Sequence, residues 1–119
     1  MRGDGFWMVY RAIRAIRDVP AYDKLVLSAL VDHFNLRSKR CCPKISLLMA
    51  DLSLSRSSVV RALRSLRARR LLSTTRKKRH LNYVIHFDRL IAEAALPVGF
   101  HAGLAELLRR FEMPTDTAS

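Results

Sequence analysis

Pro43-Lys44-Ile45-Ser46-Leu47-Leu48-Met49-Ala50-Asp51-Leu52-Ser53-Leu54-Ser55-Arg56-Ser57-Ser58-Val59-Val60-Arg61-Ala62-Leu63-Arg64-Ser65-Leu66 is the stretch on which the fold turns. Its apolar residues form two helical stripes, Ile45, Leu48, Met49 and Leu52, then Val59, Ala62, Leu63 and Leu66, each spaced i, i+3, i+4, i+7. Only Ser53-Leu54-Ser55 separates them, which predicts two helices joined by a three-residue turn. Pro43 opens the first helix, and Ser55 is suited to cap the second, which runs from Arg56 to about Arg69. Opposite its stripe, the second helix shows Arg56, Ser57, Val60, Arg61 and Arg64.

Upstream, Tyr22, Leu25, Val26, Ala29, Leu30, His33 and Phe34 make one more stripe, with Pro20 near its first turn and a polar loop, Asn35 to Arg40, at its end. Downstream the period falls to two. Leu81, Tyr83, Ile85 and Phe87 alternate with Asn82, Val84 and His86, a strand with one buried face, and Ser73-Thr74-Thr75 is its partner. Arg76-Lys77-Lys78-Arg79-His80 lies between them without Gly or Asn, so a wide, mobile hairpin tip is expected there.

The charge is as local as the pattern. The 119 residues hold 22 Lys plus Arg against 10 Asp plus Glu, a net charge of +12 and a pI near 11.0. Fourteen of those bases and one acid, Asp51, fall between Arg37 and His80, so this third of the chain carries +13 and the rest −1. A charge kept for solubility is spread along a chain, whereas a nucleic-acid footprint is concentrated; a solvated cationic face is the plainer alternative. The helix from Arg56, with small residues at its start and cations along its length, has what entry into a DNA major groove requires.

The run Cys42 to Leu66 resembles the winged helix-turn-helix domains of bacterial, phage and plasmid DNA-binding proteins, regulators and replication initiators among them. The resemblance extends back through Lys24-Leu25-Val26-Leu27-Ser28-Ala29-Leu30 and forward to Phe87, covering roughly 19–88, with Ser53 where such turns often have Gly. It implies that Arg56, Ser57, Val60, Arg61 and Arg64 meet base edges, Arg on guanine and Val60 on a thymine methyl. Lys44, Ser58 and the helix-start amides would meet phosphates, and the wing Arg76, Lys77, Lys78, Arg79 and His80 would follow the backbone or enter the minor groove.

The expected architecture is one domain over 1–119, mainly α with a small β-hairpin: a three-helix core plus wing at 19–88 and terminal helices. An N-terminal arm, 1–18, carries Phe6, Trp7, Val9, Tyr10, Ile13 and Ile16 as a strand, a helix, or one after the other. At 89–113, Asp88 caps a helix ending at Pro97, then Leu104, Leu107, Leu108 and Phe111 form a stripe before a polar tail, 114–119. That stripe serves either the chain's own core or a two-fold homodimer reading half-sites about 34 Å apart.

Other functions have little in the sequence to carry them. No glycine occurs between Phe6 and Val98, so no phosphate-binding glycine loop exists there. Neither a nucleophile elbow nor a metal-ligand spacing around His33, His80, His86 and His101 is present, and the adjacent Cys41 and Cys42 read as buried or half-buried thiols. No enzyme, cofactor or small-molecule ligand is expected. Without an apolar run near ~20 residues or a signal-peptide pattern, a cytoplasmic protein, nucleoid-associated if bacterial, is expected. RNA recognition favours exposed aromatics, and none lies between Phe34 and Tyr83. A sequence-specific double-stranded DNA-binding regulator, most simply a repressor, is the first reading; a replication, partition or DNA-organising factor assembling on repeated sites is the alternative.

Overall fold

The computed structural model describes residues 6–77 and 79–110, with Lys77 described by its backbone alone. Six helices and one hairpin make up these residues: α1 Trp7–Arg14, α2 Ala21–Asp32, α3 Ile45–Leu52, α4 Arg56–Ala68, β1 Leu72–Lys77, β2 His80–Ile85, α5 Phe87–Glu93 and α6 Val98–Arg110. The centre is α2, packed at once on α1, α3 and α4.

That position changes which of its residues are inside. Val26, Leu27, Ala29, Leu30 and Val31 are buried, whereas Tyr22 and Leu25, expected in the stripe, are 52 % and 44 % exposed. A helix held on three sides is covered around most of its circumference, so the single-stripe rule names the wrong edge. The stripe on α4 behaves as expected: Val59, Ala62, Leu63 and Leu66 are all buried. On α3 only Leu48 is fully buried, with Ile45, Met49 and Leu52 half-buried against the same core.

The hairpin is tighter than its composition suggests. Antiparallel pairing runs from Leu72↔Ile85 to Lys77↔His80, so Arg76, Lys77 and His80 belong to the ladder and a wide tip is ruled out. The β-branched Thr74 and Thr75 face Tyr83 and Asn82, and Asn82 Nδ2 donates to Thr75 Oγ1 at 3.4 Å, carrying the pairing outward. Lys78 of the expected tip lies outside the described residues.

The hairpin is fastened to the segment entering α3. The Tyr83 amide donates to the Cys41 carbonyl at 2.8 Å, and the Cys41 amide donates to Asn82 Oδ1 at 2.9 Å. Cys41 is buried and its thiol donates to the Leu30 carbonyl at 3.1 Å, while Cys42 is exposed, a correction to its expected burial. Phe87, read as the strand's last inward residue, is instead the first residue of α5, still buried.

The chain ends pack onto this unit. Of the three forms left open for the arm, the structure has a helix, α1, followed by an extended residue, Ile16, bridged to Ala94. That bridge, with Ala95 donating to the Ala15 carbonyl at 2.9 Å, draws Ala94 into extended backbone, so α5 stops at Glu93 and not at Pro97. His86 holds its N-cap position; Asp88 sits in the first turn. Phe87 packs edge-on against Phe6 and Phe34, at 6.2 and 5.5 Å between ring centres. Leu104, Leu107 and Leu108 of α6 are buried within the chain itself; Phe111 and the tail lie outside the described residues.

A body without glycine must put other residues where the backbone turns left-handed. Ser53 ends α3 at φ 53°, and Arg70 follows α4 at φ 61°, each letting the next amide reach back into the helix: Leu54 to the Met49 carbonyl, 3.2 Å, and Leu71 to the Leu66 carbonyl, 3.1 Å. These closures satisfy carbonyls at the helix ends at the expense of a strained Cβ. Ser53→Gly and Arg70→Gly are each expected to raise unfolding stability by ~0.5–1 kcal/mol in denaturant titration. By contrast, Leu66→Ala is expected to lower it by ~2–5 kcal/mol.

Tyr83 gives the hairpin anchor a pH signature. Burial pushes its phenol above 10.0, with Arg67 opposing and Cys41 adding to the rise. A raised acid keeps its full contribution below the unfolded value and loses it as pH climbs through the folded one. Thermal unfolding should therefore show stability falling above pH 10.0, with a shallower fall in Tyr83→Phe.

Candidate nucleic-acid interface

Ser53 turns the chain between α3 and α4, and Ser55 starts α4 by accepting the Ser58 amide on its Oγ at 3.2 Å. The same oxygen lies 3.1 Å from Ser57 Oγ and 3.0 Å from Ser58 Oγ, so three hydroxyls gather at the helix start. This keeps the first turn small and polar, with amide dipoles directed outward.

Beyond that turn the exposed face of α4 follows from the buried one. Arg56, Ser57, Arg61 and Arg64 are exposed, while Val60 and Ser58 are half-buried at its margins. Among the described residues, no ion pair holds Arg56, Arg61 or Arg64. Their guanidinium forks are free to meet an external anion.

The expected backbone-contacting residues are on neighbouring elements. Lys44, exposed, occupies the N-cap position of α3 with extended backbone. Arg76, Arg79 and His80 are exposed on the hairpin, and Lys77 pairs with His80 in the ladder. Since Cys41 links β2 to the residues just before Lys44, the hairpin is carried by the same frame as α3 and α4.

Sequence reasoning missed two neighbours of this face. Tyr22 and Asp23, at the start of α2, share a cleft of about 290 Å³ with Ser58, Arg61 and Ser65 of α4. Helical periodicity assigns Tyr22 to the core and gives Asp23 no role, because the crossing of two helices is invisible to the period of either. Among the described residues, no helix is long and apolar enough to cross a membrane.

Residues 19–72 match the family described as a helix-turn-helix domain, a span that begins just before α2 and ends at the first residue of β1. No curated protein matches the chain. The matched span contains α2, α3 and α4, and the antiparallel hairpin follows it directly. Residues 19–72 thus match a helix-turn-helix domain, and the antiparallel hairpin directly behind them is consistent with a winged helix-turn-helix.

Proposed function

We propose that this protein is a sequence-specific double-stranded DNA-binding regulator, most simply a repressor that occludes a promoter. The observation that carries the reading is the unpaired cationic face of α4, Arg56, Arg61 and Arg64, held outward by its buried stripe within a helix-turn-helix domain. On this reading α4 enters the major groove. Arg56, Ser57, Val60, Arg61 and Arg64 face base edges, where an arginine fork fits guanine O6 and N7. Lys44, Ser58 and the hairpin residues Arg76, Lys77, Lys78, Arg79 and His80 meet phosphates or the adjacent minor groove. The three hydroxyls at the start of α4 fit this division, since a small polar first turn admits close approach to the duplex.

The reading includes a two-fold homodimer. The leucines of α6 are already used inside the chain, so Trp7, 53 % exposed, and Val98, 86 % exposed, are the apolar surface that supports it. Phe100 packs edge-on against Trp7 at 5.9 Å and joins the two residues' helices at that surface. Two copies would place their α4 helices on half-sites about 34 Å apart.

Protection mapping of genomic fragments with purified protein tests the role. One or two strong sites near a promoter are the expected result; clustered repeats with cooperative spreading would identify an assembly factor instead. Sedimentation is expected to give a dimer at micromolar protein, and a monomer both free and on DNA would remove that part of the reading. Affinity should fall with salt at a log-log slope of about −5 if ~6 phosphates are neutralised. Arg61→Ala is expected to relax preference at one base pair at a cost of ~1–3 kcal/mol, whereas Arg79→Ala weakens every duplex alike. Equal, uniform losses from both would overturn the division into base reader and backbone clamp.

A further inference from the structure

Asp23 is the buried charged side chain among the described residues, 4 % exposed, and its Oδ2 has no hydrogen-bond partner. Its place in the first turn of α2 suits a negative charge, because the helix dipole is positive there. The dipole accounts for the sign, but not for burying a carboxylate oxygen unpaired, an arrangement native structures seldom keep without a use. Asp23 borders the cleft between α2 and α4, and Arg61 is the one cation among the described residues on its walls. In the free chain no ion pair joins them.

We propose that Asp23 is a positioning residue for Arg61 and thereby sets base selectivity; this rests on reading Arg61 as a base contact. Guanidinium has five N–H donors in a planar fork, enough to give one edge to a carboxylate and another to guanine O6 and N7. Without a fixed partner, a long arginine side chain beside DNA takes the nearest phosphate, whatever the sequence. A carboxylate at its flank holds the fork in one orientation and, by repelling phosphate, penalises every arrangement in which the base edge is not met. Selectivity is a difference between affinities, so a group that weakens the wrong complexes raises it as surely as one that strengthens the right complex. Closure of the duplex over the cleft also excludes water, which strengthens the pair when the correct base is present.

The test uses the full chain and a duplex selected by it from a randomised pool. Affinities are measured for that duplex, its single base-pair substitutions and a random duplex, with Asp23→Asn, Arg61→Ala and the double variant. Asp23→Asn should lower discrimination about tenfold at the base pair that Arg61→Ala also relaxes, while binding random duplex at least as tightly as the parent. In the Arg61→Ala background it should change nothing further, the mark of two groups acting as one. Circular dichroism checks folding, and Asp23→Ser takes the place of Asp23→Asn if the latter does not fold. If Arg61→Ala is selective but Asp23→Asn weakens all duplexes equally, or adds independently to Arg61→Ala, the carboxylate serves α2 alone and the inference fails by itself. Uniform loss in Arg61→Ala, or a pool with no preferred duplex, sinks the base-contact reading as well.

Discussion

The buried contact between α4 and α2 is the constraint from which the rest of this molecule follows. Val59, Ala62, Leu63 and Leu66 are at most 5 % exposed, and full burial of each larger apolar side chain is worth roughly 1.5–3 kcal/mol. With that stripe fixed, the rotational setting of α4 is fixed too, since a turn of one residue about the helix axis would drive an arginine into the core. The outward direction of Arg56, Arg61 and Arg64 is thus a consequence of leucine packing, not of any attraction between the arginines and their surroundings. The hairpin inherits its place from the same contact, because Leu71 closes the end of α4 onto the Leu66 carbonyl and Leu72 begins β1.

A second constraint is the lack of glycine through the body of the chain. Left-handed backbone at Asp18, Lys39, Ser53 and Arg70 is carried by side chains that dislike it. In the loop after α2, Asn35 offsets this locally: its Oδ1 accepts from the Arg37 and Ser38 amides, and its amide and carbonyl pair with Arg40 and Lys39. At Ser53 and Arg70 the offset is the helix-closing hydrogen bond. Hydrogen bonds made in the folded chain therefore hold the turns here, and intrinsic preference does not set them.

What could be read in the sequence divides along that line. The helices α3 and α4, the Ser55 cap and the buried stripe are local periodic features, and local periodicity is what a single sequence displays. The hairpin's existence was legible from its alternation, but its register was not, because no Asn or Gly announces a two-residue connection between Lys77 and His80. The end of α5 depends on Ile16 meeting Ala94 across most of the chain, and the exposure of Tyr22 and Leu25 depends on how three helices surround α2. The exposed face of α4 could be found from its spacing; the cleft with Asp23 could not, since an acid in a helix's first turn is ordinary and the meeting of α2 with α4 that forms the cleft is not written in either helix.

The distribution of acids gives that carboxylate its significance. On α5 and α6 two cations have partners a turn away, Arg89 with Glu93 at 3.2 Å and Arg109 with Glu106 at 2.8 Å. Exposed pairs of this kind contribute little to stability, but each places an acid beside a cation on its own helix. From Arg37 to His80 the sequence supplies one acid, Asp51, and His33 of the neighbouring helix end already engages it at 2.8 Å. The basic surface therefore has no carboxylate of its own with which to restrain its arginines. An interface built from unrestrained cations binds polyanions strongly and indifferently, because Coulomb attraction to phosphate carries no sequence information. Asp23 comes from outside that segment, and the fold places it in the cleft that Arg61 also lines. On the proposed reading, one carboxylate sharing a cleft with one of several cations is the smallest change that would make part of an indifferent surface selective.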